Sequence, residues 1–193
     1  MAKEAAVKTL LLAVLMLFQG VITYSLVMDP GPAPKTVLAK AFTPTDIKNQ
    51  IEREEKQKQY DQAEEVAARV MKRHGCDDEF AELVGRTAVD ERISARLVAA
   101  VMVLESTCKP GAVSPSDGVG LMQVVPRMWH VSKKALKDPA FNVRFATHRI
   151  LAPFVHAYGI REGLHHYNGL GVGCSACSDD YPERVMRIAG YAT

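Results

Sequence analysis

Leu97-Val98-Ala99-Ala100-Val101-Met102-Val103-Leu104-Glu105-Ser106-Thr107-Cys108-Lys109-Pro110-Gly111 is the stretch whose reading decides the fold. Ile93, Leu97, Ala100, Val101 and Leu104 recur at the helical period and predict a helix with a broad core face. Asp90 is the expected N-cap, with Glu91 in the first turn, and Pro110 with Gly111 ends the helix. An apolar run that closes on a carboxylate and opens into a Pro- and Gly-rich loop puts one acid at the lip of a cleft. Desolvation by the apolar body behind it disfavours the charged form, so this acid is able to hold its proton near neutral pH. A protonated Glu facing a groove is what cleavage of a glycosidic bond requires.

Further helices are expected over Asp77 to Ala88, with Phe80, Leu83 and Val84 on one face, and near Leu121 to Trp129, Asn142 to Ala157 and Pro182 to Ala189. No run combines strand length with alternation, so the fold class is all-α and lysozyme-like, preceded by a transmembrane helix and a helical stalk. At 193 residues the chain accommodates one domain with a real core plus an appendage. A net charge of +2 carries no nucleic-acid footprint, and no solenoid repeat is present.

The N-terminal segment runs without a charge from Leu10 to Met28, after Lys3 and Lys8. That is long enough to span a bilayer as a helix. A cleaved signal peptide is the rival, but Asp29-Pro30-Gly31-Pro32 follows directly and the only Ala-x-Ala, Ala39 and Ala41, lies well downstream. Residues 1–29 are therefore expected to be a membrane anchor. Residues 30–75 are expected to be a Pro-rich linker and charged helical stalk, and 76–193 the catalytic domain. Within the stalk, Glu52 with Lys56 and Glu54 with Lys58 support a solvated helix from Thr45 to His74.

Glu105-Ser106, Pro110 five positions after the Glu, Ser114 nine after it, and Gly120-Leu121-Met122-Gln123 together resemble the signature of the lytic transglycosylase family. These are SLT-type, goose-lysozyme-like enzymes that cut peptidoglycan. The later Tyr167-Asn168-Gly169 is another mark of the family, and the resemblance covers roughly residues 77–190. It implies that Glu105 protonates the scissile oxygen and then, as a base, takes the proton of the sugar's own C6 hydroxyl. That hydroxyl attacks C1 and leaves a 1,6-anhydro-muramoyl end, with no second carboxylate and no cofactor required.

By the same resemblance Ser114 and Gln123 line the cleft and contact the sugar, and Met122 borders the acid. Tyr167 points toward the acid or C1, and Asn168 supports its loop, expected between Gly163 and Gly173. Tyr181 matches the family's last site tyrosine. Gly120 is expected to let backbone approach substrate. Asp117-Gly118-Val119 departs from the family's usual Gly-Ala, and Asp117 brings a second carboxylate near the cleft. Asp tolerates the left-handed backbone that turn needs. His166 stands where a small residue is usual. The neighbouring His165 and His166 are not read as a metal site, because consecutive residues rarely face one ion.

Cys76 opens the first helix of a hairpin and Cys108 lies just past the end of the second, so both fall at one end and a bridge is expected. Cys174 and Cys177 form the other pair. Zinc is the rival, but only one close Cys pair exists. Disulfides belong to the oxidising side of a membrane, where peptidoglycan is. The expected protein is a lytic transglycosylase of the inner membrane with its domain in the periplasm. Its partners are glycan strands, the lipid bilayer and, for a scaffold reading, a secretion-system or phage-particle assembly. A water-using muramidase and a non-catalytic wall-binding component are the alternatives, and release after signal cleavage or a phage virion is the alternative location.

Overall fold

The computed structural model describes residues 43–169 and 178–192, so the expected membrane segment Leu10 to Met28 and the pair Cys174 and Cys177 lie outside the described residues. Among the described residues, no helix is long and apolar enough to cross a membrane, and no strand forms; Val119 alone bridges to Val113 and Val124. The elements are α1 (Pro44–Arg73), α2 (Ala81–Asp90), α3 (Ala95–Ser106), α4 (Pro126–Trp129), α5 (Lys133–Leu136), α6 (Pro139–Ala146), a π-helical turn (Thr147–Leu151), α7 (Ala152–Tyr158), α8 (Ile160–Tyr167) and α9 (Tyr181–Ala189).

Thr43 and Asp46 start α1 with a reciprocal capping box: the Thr43 hydroxyl accepts from the Asp46 N–H, and the Asp46 carboxylate accepts from the Thr43 N–H. The helix expected as a stalk then divides into two different halves. Its first turns are exposed, Ile47 and Ile51 included. From Ala63 onward it joins the core, with Ala67 and Met71 fully buried. Gly85 makes this close packing of α1 on α2 feasible. A Cβ there would stand 2.5 Å from the Glu64 backbone nitrogen, so any side chain would force the two helices apart. Residues 42–193 form one compact unit, and the boundary expected at 75/76 falls inside its packing.

Asp90 does not cap α3. It is the last residue of α2, and a left-handed Arg92 (φ +54°) turns the chain into Ser94, from which α3 starts. Asp90 instead accepts from the Tyr60 hydroxyl at 2.8 Å and pairs with Lys56 at 3.0 Å, tying α1 to the α2–α3 turn. Helix α3 is the central rod, buried without interruption from Leu97 to Val103. It ends four residues before Pro110, because Thr107 (φ +50°) and Cys108 (φ +57°) are both left-handed. Cys108 bridges Cys76 with Cα atoms 5.9 Å apart, as the hairpin argument expected. Closing a loop over a separation of 32 residues is worth about 3–4 kcal/mol in the chain-entropy picture.

The helix expected from Leu121 is only the single turn α4, and Gly120 to Val124 is a tight non-helical turn. The helix expected over Asn142 to Ala157 runs instead from Pro139 to Tyr158 and carries a π turn. Pro153 explains that turn: it has no N–H for the Arg149 carbonyl and its ring would clash there, so the helix widens before it. The segment expected as loop from Gly163 is helical through Tyr167. Gly163 sits where a Cβ would meet the Val155 backbone at 2.8 Å, which lets α8 fold back flush on α7.

Candidate active site

Three segments far apart in the sequence converge on the end of α3. Glu105 lies in the last turn of that helix, half-buried, and the Tyr181 hydroxyl at the start of α9 donates to its Oε1 at 2.6 Å. Tyr181 is buried and its ring stacks on that of Tyr167, with centroids 6.4 Å apart and planes 18° from parallel. The Tyr167 hydroxyl donates to the Met122 carbonyl at 2.7 Å. A continuous line therefore runs from the Gly120–Gln123 turn through two phenols to one carboxylate.

The electrostatics follow from that geometry. Burial pushes the Glu105 carboxyl up to about 7, against the opposing pull of the Tyr181 hydrogen bond and the positive charge of Arg184. At neutral pH the acid is thus divided between its two forms, the condition under which one group gives a proton and takes one back. Both phenols are pushed well above their ordinary value, chiefly by burial and then by the nearby Glu105 charge. They remain neutral donors.

The remaining expected residues divide by what they touch. Gly120 is buried with φ +79°, and a Cβ there would collide with the Asn142 amide at 2.4 Å. It is required by this contact inside the protein, which replaces the substrate approach expected of it. The Met122 side chain is fully buried and belongs to the core, and only its backbone reaches the site. Gln123, itself left-handed (φ +50°), donates from Nε2 to the Gly120 and Ala112 carbonyls at 2.9 and 3.3 Å. Both amide hydrogens are thereby used on the loop, and Oε1 is left to face a ligand. Ser114 Oγ accepts the Gly118 N–H at 2.9 Å and shares a hydrogen with Ser116. Asn168 donates to the Ser178 carbonyl at 3.1 Å and so ties the end of α8 to the approach to α9.

Asp117 adopts the left-handed backbone expected of it (φ +72°), and its carboxylate pairs with Lys133. His166 stacks on Tyr158 at 4.4 Å and on Phe154 at 5.2 Å. Two contributors were not anticipated from the sequence. Asn142 is fully buried; it accepts the Met122 N–H at 2.8 Å and donates to the Val119 and Leu136 carbonyls, both at 2.9 Å. This one side chain holds the whole Gly120–Gln123 turn, and the signal for it was an amide between Phe141 and Val143 on an apolar helix. Arg184 acts on the Glu105 charge from the exposed side of α9. Its signal was a position one helical turn after Tyr181.

No curated protein matches the chain. Residues 82–170 match the Transglycosylase SLT domain, a segment that begins in α2 and reaches just past the Tyr167-Asn168-Gly169 motif. The match spans the acid-bearing helix, the Gly120–Gln123 turn and the helix that ends on Tyr167, so this chain carries an SLT transglycosylase domain, of the type that acts on peptidoglycan.

Proposed function

We propose that the protein cleaves the β-1,4 bond between N-acetylmuramic acid and N-acetylglucosamine without water, leaving 1,6-anhydro-muramoyl ends. The observation that carries this reading is the single carboxyl raised to about 7 by burial. Protonated Glu105 gives its proton to the glycosidic oxygen as the C1–O bond breaks, and the leaving sugar departs with a free 4-hydroxyl. The carboxylate then accepts the proton of the C6 hydroxyl as O6 bonds to C1, which returns Glu105 to its starting form. Nothing is consumed, so one residue closes the cycle.

Tyr181 supports the second half of this cycle, because its hydrogen bond favours the carboxylate form over the acid. Gln123 Oε1 is an acceptor for a sugar hydroxyl or N-acetyl N–H, held in place by the two bonds its own nitrogen makes. The domain works outside the cytoplasm, tethered by Leu10 to Met28 as a membrane anchor. The Cys76–Cys108 bridge, which suits an oxidising compartment, supports that location.

The test is mass spectrometry of muropeptides released from purified sacculi by the full-length protein. Products ending in 1,6-anhydro sugars are expected. Reducing ends would assign the fold to a water-using muramidase instead, and no release at all would leave a wall-binding component.

A further inference from the structure

A groove of about 670 Å³ runs along the flank of α6 and α2, lined by Phe141, Arg144, Phe145 and Arg149 on one side and by Asp90 and Glu91 on the other. It is not the cleft of Glu105. Asp90 and Glu91 sit at the turn that leads into the N-terminal end of α3, whereas Glu105 sits at the opposite end. With a rise of about 1.5 Å per residue, the two are about 15 Å apart along that rod. Its volume is that of a ligand pocket.

The charges of the groove do not balance once its internal pairs are counted. Asp90 is taken up by Tyr60 and Lys56, and Glu91 by His148 Nδ1 at 3.0 Å. Asp138 accepts the Phe141 N–H at 2.6 Å as the cap of α6. Arg86 is held by Glu82 at 2.9 Å and lies over the Tyr60 ring. Among the described residues, the guanidinium groups of Arg144 and Arg149 have neither an ion pair nor a hydrogen bond, and both are exposed. Two cations are left over and no anion is.

Between them stands an apolar element. Phe141 and Phe145, one helical turn apart, stack with centroids at 5.5 Å, and Phe141 is 38% exposed. An exposed ring pair flanked by two free planar guanidiniums fits carboxylates on either side of a hydrophobic side chain.

We propose that this groove is a docking site for an acidic peptide segment of a partner protein, one with Asp or Glu on both sides of a large apolar residue. The apolar side chain lies against Phe141 and Phe145, and the flanking carboxylates pair with Arg144 and Arg149. The site leaves the Glu105 cleft open, so docking and catalysis occur together.

Fluorescence anisotropy tests this with the full-length protein and a labelled synthetic peptide carrying one Phe between Asp and Glu residues. Saturable binding is expected, weakened about tenfold by the Arg144→Glu/Arg149→Glu pair and by raising salt, as for a contact steered by charge. Phe141→Ala is expected to weaken it severalfold, and Arg144→Lys/Arg149→Lys to retain most of it. All three surface positions are exposed, so these variants spare the core. The proposal is overturned if the acidic peptide does not saturate, or if its Lys-substituted counterpart binds equally well. It is also overturned if a disaccharide–stem-peptide fragment of peptidoglycan displaces the peptide at equal concentration, since the groove would then belong to the wall substrate.

Discussion

Two carboxylates stand in the segment that matches the SLT domain signature, and their surroundings make them different chemical groups. Glu105 is half-buried at the end of α3, touches the neutral Tyr181 hydroxyl and is raised to about 7. Asp117 sits on a loop tip beside the ammonium of Lys133. An opposite charge in contact favours the ionised form, so Asp117 is a carboxylate and Glu105 is the group that keeps a proton. The difference teaches that in this domain packing, and not the side chain's own acidity, selects the acid. It also separates the two mechanisms, because a water-using enzyme needs a second carboxylate free to act as base, and the one on offer is occupied.

The sharpest way to break the comparison is Glu105→Gln, which keeps the shape and removes the proton. Glycan release from sacculi is expected to fall at least about a hundredfold, the ordinary worth of a general acid. The same substitution has an effect of opposite sign on stability. A carboxyl whose folded value is raised from 4.5 to about 7 binds its proton more tightly when folded. Its contribution is complete below about pH 4.5 and is lost as pH rises through about 7. At pH 8 the Gln variant is therefore expected to be more stable than the wild type by roughly 1–3 kcal/mol. At pH 4 the two are expected to be equal. Denaturant melts at both values check this, and a variant equally stable at both would mean that Glu105 is not desolvated.

Tyr181→Phe sharpens the comparison by an intermediate step. The lost hydrogen bond favoured the ionised form, so the alkaline limb of activity, expected near pH 7 in the wild type, moves upward in the variant. Activity at neutral pH is expected to drop about tenfold through weaker support of the carboxylate, the size of one charge-assisted hydrogen bond. A pH–rate profile that did not move would place Tyr181 outside the acid's surroundings. The smallest effect belongs to Asp117→Asn. It keeps the side chain's shape and loses a surface pair worth about 0–1 kcal/mol, so rates within about twofold of wild type are expected. A loss as large as that of Glu105→Gln would reverse the roles assigned to the two carboxylates.

The core face of α3 was legible because helical periodicity is a local property, and it placed Leu97, Ala100 and Val101 inside, where they are. The bridge between Cys76 and Cys108 was legible for a related reason: two helices of similar length in a hairpin bring their outer ends together. Element edges were less so. Asp90 has the composition of an N-cap, but left-handed Arg92 interposes a turn and frees that carboxylate to bind Tyr60 across the interface with α1. Charge density along Thr45 to His74 spoke for a solvated stalk and hid the fact that Ala67, Val70 and Met71 line one buried stripe.

For the site, the sequence alone determined which residue is the acid and which turn faces it, since both are set by neighbours within a few positions. The N-terminal uncharged run and its reading as an anchor likewise come from the sequence. Only the tertiary structure decided what makes the acid work. Tyr181 lies 76 positions from Glu105 and donates to it, and Tyr167 lies 45 positions from the Met122 carbonyl that receives its hydrogen bond. Asn142 reaches back 20 positions to brace the turn. Desolvation and hydrogen bonding depend on which atoms become neighbours in space, and no local pattern in the chain carries that information.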